Sequence, residues 1–378
     1  MPVEIRQHVP GEDTRDFVDV AFEIFRGDPA WVAPLHMVMH EKLHPAKDPF
    51  YAHAEVALFT ARKSGRLVGR VSATVDQAWL AQYHDATGHI GYFDTIDDVE
   101  VAGALLARAE AWLRERGMAR VNGPMSFNAN QEIGLLVDGF EHPPQLDMAH
   151  SRPWQGRLIE ACGYAKEKDL FAWRYGAELE HNKRTLKAWQ DIRALPEVKL
   201  RSVNKKNMRA ELDTIMTIYN ETWSGKWGYI PITGAELDKM AKDLSLVLDP
   251  EIAFIADIDG EPGGMCVMIP NLNEAIRDLH GSLFPFGWIK MLWRTQVQHP
   301  RSARLILLGV REHVRKNVKR YGGLSAAMYV EVSQRGRKKG YEWAELGWTR
   351  EDDAPINLGI RSMGAKVYKT YRVYQKAL

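Results

Sequence analysis

Arg320-Tyr321-Gly322-Gly323-Leu324-Ser325 brings together residue types that bind phosphate through the main chain. A glycine pair ahead of a helix exposes backbone N–H groups at the positive end of the helix dipole, where an anion is stabilised. Ser325 is small enough for close approach and has a hydroxyl to donate. Arg311, Arg315, Lys316, Lys319 and Arg320 stand here against a single acid, Glu312. Positive charge concentrated in one turn suits a ligand with several phosphates. The plain alternative is a solvated charged loop.

Three further groups have chemical potential. Glu345, in Trp343-Ala344-Glu345-Leu346-Gly347-Trp348, is a carboxylate among apolar neighbours. Such surroundings raise a carboxyl toward the range of a general base; the alternative is pairing with a buried arginine. Asn128, Asn130 and Glu132 place polar groups where a strand end opens, suited to orienting a polar head group or simply to turn chemistry. Trp223, Trp227 and Tyr229, with residues 283–293 including Phe286 and Trp288, offer lining for an apolar chain or a lip facing lipid. Core packing is the default for any one of them. The histidines of residues 142–154 lack metal-ligand spacing, so no metal is expected.

The elements that must position these groups follow from length and pattern. A chain of 378 residues exceeds what one core usually supports, so two domains are expected. Lys+Arg 50 against Asp+Glu 49 leaves +1, which disfavours nucleic acid as a partner. Two cysteines, no basic-then-apolar leader and no bilayer-length apolar run point to a reduced, cytoplasmic protein. Its most membrane-like stretch, residues 282–293, allows peripheral contact with the inner membrane.

The chain also repeats itself. Residues 55–75 and 251–269 each read as a hairpin, around Ser64-Gly65 and Asp259-Gly260, with a second glycine four positions after the first. Residues 102–123 and 325–348 each read as an amphipathic helix, a glycine cap and a strand. Each half then ends in a short helix, a glycine (Gly163 or Gly364) and a strand. Residues 303–310 read as a buried strand leading into the basic loop. At the matching place in the first half stand Asp94, Asp97, Asp98 and Glu100, which would repel a phosphate.

This order and these glycines resemble the GNAT acyl-CoA N-acyltransferase fold, twice over. The fold class is therefore α/β with a mixed (α+β) sheet, as two GNAT-like domains in tandem. RGDPAWVAPL (26–35), GPMSFNANQEIGLLVDGF (123–140), KWGYIPIT (226–233), SLFPFGWIK (282–290) and GAKVYKTYRVY (364–374) further resemble a bacterial tandem-GNAT family, some of whose members are similar to bacterial ceramide synthases. The resemblance implies an N-terminal domain at 1–178 that shapes the acceptor site, a connecting segment at 179–196, and an acyl-CoA domain at 197–378. It implies acyl-CoA as co-substrate and a small or lipid amine, such as a long-chain sphingoid base, as acceptor. The CoA phosphates would lie on Arg315, Arg320, Gly322, Gly323, Leu324 and Ser325. Backbone at Leu308, Gly309 and Val310 would polarise the thioester carbonyl, and Glu345 would serve as base, without metal or covalent intermediate. The family's helix tyrosine, the usual acid, is replaced by Ile360, leaving Tyr368 and Tyr371 as the nearest substitutes. Two alternatives stay open: aminoacyl transfer from tRNA to a peptide, against which the net charge speaks, and a non-catalytic acyl-CoA-binding protein.

Overall fold

The computed structural model describes residues 2–378, which form two compact units. In the first, β1 (Glu4–His8), β2 (Ala54–Lys63), β3 (Arg66–Asp76) and β4 (Thr87–Thr95) pair antiparallel in sequence, and β5 (Arg120–Gly123) joins β4 in parallel. Short strands β6 (Met125–Ser126), β7 (Glu132–Ile133) and β8 (Leu135–Asp138) follow, then β9 (Ala165–Gly176). The second unit repeats the plan. Its β10 (Val198–Ser202), β11 (Ala253–Ile258), β12 (Glu261–Pro270) and β13 (Ser302–Val310) pair antiparallel, and β14 (Trp343–Arg350) joins β13 in parallel. The last strand is β15 (Lys366–Ala377).

The duplication extends to backbone detail. Both hairpins turn through two left-handed residues, Ser64-Gly65 and Asp259-Gly260, as the twist of a two-residue hairpin requires. Both carry a register shift at the same place, where Ala61 faces Gly69 and Ala256 faces Gly264. These second glycines admit close neighbours. A Cβ on Gly69 would lie 2.8 Å from Leu105, and one on Gly264 3.2 Å from the Met328 sulfur. Leu105 and Met328 lie on the helices Val99–Glu115 and Leu324–Lys338, which pack on the strands of the first and second unit respectively. On the former, Val101, Leu105, Leu106, Ala109, Trp112 and Leu113 recur at helical spacing and are buried against Phe59 and Val71. Each of the buried valine and leucine side chains stabilises the unit by about 1.5–3 kcal/mol on removal from water.

The units do not follow the expected boundaries. The first comprises the chain up to Phe171 together with Ala275–Arg294 and Tyr368–Leu378; the second comprises Ala172–Glu274 and Thr295–Val367. In the first, β5 pairs with the end of the chain, Gly123 facing Tyr374 and Arg120 facing Ala377. In the second, β14 lies beside the end of β9. Each half therefore uses the other half's closing strand. The connecting segment is also structural: helix Lys183–Arg193 packs in the second unit, where Trp189 donates to Glu331 at 2.7 Å.

Candidate active site

In the second unit, β13 and β14 pair only over residues 302–305 and 343–346. Beyond that point they form a wedge whose sides, residues 306–308 and 347–350, are half-exposed. The register against β12 shifts between Val267 and Met268, which face Leu307 and Leu305, leaving Ile306 as a bulge. Of the expected carbonyl-polarising stretch, Leu308 is half-exposed, while Gly309 and Val310 are buried. Gly309 is required there because the Trp223 ring covers it; a Cβ would lie 2.8 Å from that ring. Trp223 stacks on Tyr219 with centroids 5.1 Å apart. Tyr229 is buried, donates to Asn220 at 2.9 Å and has its hydroxyl pKa raised by burial, so it serves packing beside the wedge. Trp227 is half-buried.

The basic loop is two helical turns, Glu312–Lys316 and Val318–Tyr321, before the Leu324–Lys338 helix. Gly323 is the N-cap of that helix and supplies no side-chain cap, so its first N–H groups have no side-chain acceptor from the cap. Gly322 and Ser325 are exposed and Leu324 is buried as the anchor. A Cβ on Gly322 would come 2.5 Å from the Val318 carbonyl, so glycine permits the tight entry. Several of the basic side chains are already paired. Arg311 meets Glu221 at 2.7 Å, Lys316 meets Glu312 at 2.8 Å, and Arg320 meets Glu197 at 2.5 Å. Arg315 is exposed.

Glu345 is 0% exposed and lies opposite Arg304 across the β13–β14 ladder, with Nε 3.3 Å from Oε1. The sequence signal for Arg304 was a lone charge inside an apolar strand, matched by the lone acid of β14. Tyr368 is counted with the first unit, its ring 5.2 Å from His142, and Ile360 is buried on helix Ala354–Ser362.

In the first unit the acceptor candidates fall into a polar network. Asn128, 1% exposed, donates to Asp76 at 3.2 Å and accepts from the Asn130 amide at 3.0 Å. Burial, the largest single influence, would raise the Asp76 carboxyl, but the His53 hydrogen bond at 2.9 Å, the neighbouring His53 and His89 rings and the Ala78 amide together hold it below its usual range. Burial pushes Glu132 up, while nearby Lys42 draws it back. Lys42 stands 5.6 Å over the Tyr92 ring. Sequence reasoning missed His53, Asp76, Lys42 and Tyr92, because their proximity arises from four separate elements.

Phe286 and Trp288 stand at the surface. They are 73% and 46% exposed, beside Phe284 at 82%. Among the described residues no helix is long and apolar enough to cross a membrane, and no group of three or more His, Cys, Asp or Glu could hold a metal.

No family model matches the chain. It is 38% identical over 372 residues to the bacterial ceramide synthase of Caulobacter vibrioides (strain NA1000 / CB15N), covering 97% of this chain and 95% of that protein. It is 36% identical over 377 residues to Protein YghO of Escherichia coli (strain K12), covering 99% and 95%. Among solved structures it resembles the tandem GNAT protein from the clavulanic acid biosynthesis pathway, with TM-score 0.57 and 11% identity, covering 99% of this chain and 98% of that one. A GCN5-related N-acetyltransferase from Sphaerobacter thermophilus gives TM-score 0.51 and 14% identity, covering 99% and 95%.

Proposed function

Because the chain belongs to the bacterial tandem-GNAT family that includes the ceramide synthase of Caulobacter vibrioides, we propose that it transfers a long-chain acyl group from acyl-CoA to the amine of a sphingoid-type lipid. The observation that carries this reading is the half-exposed gap where β13 and β14 stop pairing, lined on β13 by Ile306, Leu307 and Leu308, with an uncapped helix N-terminus in the same unit. In this reading the phosphates lie on the amides of residues 323–325, since the Gly322 amide already donates to the Val318 carbonyl, with Arg315 available to them. The thioester enters the wedge, where unpaired strand amides stabilise its developing oxyanion.

The amine nitrogen then attacks the thioester carbon. A C–N bond forms, the C–S bond breaks, and nitrogen loses one proton. Desolvation in an apolar wedge favours the neutral amine. Glu345, the only carboxylate on β13 or β14, is the proton acceptor in this proposal. The leaving thiolate has the modest basicity of an ordinary thiol, about pKa 8.5, and takes its proton from water. A lipid amine would be met at a bilayer surface, and Phe284, Phe286 and Trp288 are the side chains suited to that interface.

The test is to incubate the purified protein with acyl-CoAs of graded length and with sphingoid, polyamine or amino-acid acceptors. Thiol release and acylated product are followed together. Release that requires both a long acyl chain and a sphingoid base is expected; equal release with polar amines would overturn the lipid assignment.

A further inference from the structure

The second unit contains a cleft, open on one side, apart from the wedge. Its apolar wall includes Met268 on β12, Leu346 on β14, and Met363. From the Leu324–Lys338 helix it takes residues from Tyr329 to Arg337. At ~1.5 Å rise per residue, Arg337 lies about 18 Å along that helix from Ser325. None of the half-exposed wedge residues 306–308 or 347–350 lines the cleft.

One end of this cleft is polar and carries no acid. Tyr175, His181, Ser333 and Arg337 meet there, and no Asp or Glu is among the lining residues. The Tyr175 hydroxyl lies 3.2 Å from His181 Nδ1, and with the hydroxyl as donor the ring proton sits on Nε2. His181 is only 8% exposed, yet its Nε2 has no partner among the described residues. Arg337 donates a terminal N–H to the Leu179 carbonyl, but its Nε is also buried without a partner. Two buried donors left unsatisfied in one cleft are costly unless an acceptor arrives, because each has lost its water. A cation without a carboxylate beside it selects an anionic acceptor.

We propose that this cleft binds a free aliphatic carboxylate, a fatty acid, with its tail along Met268, Leu346 and Met363 and its carboxylate on Arg337 Nε and His181 Nε2. The class fits both ends: an apolar chain for the wall, and two acceptor oxygens for two donors. The site stands independently of the acyl-transfer reading, since binding requires neither CoA nor amine.

The experiment titrates the full chain with decanoate, read by calorimetry and by the fluorescence of Trp343, which lines the cleft. Decanol serves as the uncharged control, and CoA and palmitoyl-CoA as competitors. Decanoate is expected to bind at least about tenfold more tightly than decanol, a charge-assisted preference of order 1.4 kcal/mol. Arg337→Met should abolish that preference, and Gly336→Leu, which fills the cleft, should remove binding of both. Unchanged decanoate affinity in Arg337→Met, or displacement by CoA or palmitoyl-CoA, would overturn the assignment. Should Arg337→Met fold poorly, the decanoate-to-decanol ratio and the competition with the unaltered protein decide the question alone.

Discussion

The two wedges of this molecule begin from the same ladder and end differently. In the first unit β4 and β5 pair over residues 87–89 and 120–122, and in the second β13 and β14 pair over 302–305 and 343–346. The third pair in each ladder holds the polar groups: His89 opposite Asn122, and Arg304 opposite Glu345. One is a neutral hydrogen bond of 2.6 Å; the other is a buried ion pair. Past that pair the first wedge is closed by its own chain. A Cβ on Gly91 would lie 2.1 Å from the Met125 carbonyl, one on Gly123 would lie 2.2 Å from that of Ile90, and the Tyr92 amide donates to Ser126. The second wedge stays half-exposed.

The helix after each wedge differs in the same sense. Asp98 caps Val99–Glu115 by accepting from the Glu100 amide, and Lys63 neutralises it at 2.8 Å. Gly323 caps nothing. One copy has thus closed with its own residues the strand gap and the helix start that the other leaves uncapped. Duplication followed by internal satisfaction of one copy needs few residues, because a cap and a strand crossing are local features.

That contrast can be broken at several points. Glu345→Gln should have the largest effect, leaving Arg304 buried without its counter-charge at a cost of about 3–5 kcal/mol. Turnover should vanish as well. Thermal melts and thiol release on Arg304→Met/Glu345→Met separate the two consequences: stability should recover and turnover should not, and a double variant that still turns over removes Glu345 as base. Leu308→Trp should close the second wedge as the first is closed. Turnover is expected to fall about 100-fold or more, as misplaced reactants do, with little change in melting temperature.

Gly323→Asp places a carboxylate where the first copy has Asp98. The backbone there, φ −89° and ψ −4°, is helical, and the new Cβ would meet the Ala188 methyl at 3.1 Å, which must give by a few tenths of an ångström. Calorimetry with CoA should show about tenfold weaker binding through carboxylate–phosphate repulsion. An unchanged affinity would move the phosphate site elsewhere.

The neutral pair makes the first unit acid-sensitive. Burial holds His89 below its usual range, so the unfolded chain binds a proton there that the folded chain does not. This contribution is present in full above about pH 6.5 and is lost as the pH falls, by at most about 1.4 kcal/mol per pH unit. Denaturant melts from pH 7 to pH 5 should therefore be flatter for His89→Gln than for the unaltered chain. Smallest of all, Asp98→Ala should cost about 1 kcal/mol of stability and leave CoA binding untouched.

Much of this could be read from residue order. Hairpins, helices and glycine caps are local, and their duplication is visible because twist and close approach demand glycine or its equivalent at fixed offsets, as at Gly69 and Gly264. The basic loop was legible for the same reason, and so was the acidic loop that replaces it. What lay beyond reach was set by partners distant in the chain. Glu345 reads as an isolated carboxylate until Arg304 is opposite it, and Asn128 as an open polar group until Asp76 and His53 meet it.

The exchange of closing strands belongs to that second class. β9 and β15 have alike patterns of apolar and basic residues, so periodicity alone suits either to either sheet. Chain order thus determined that there are two GNAT-like halves and which one keeps a basic, glycine-rich loop. Tertiary packing decided which strand completes each sheet and which wedge is open. Those choices depend on long-range pairing and burial, which no local pattern of residues encodes.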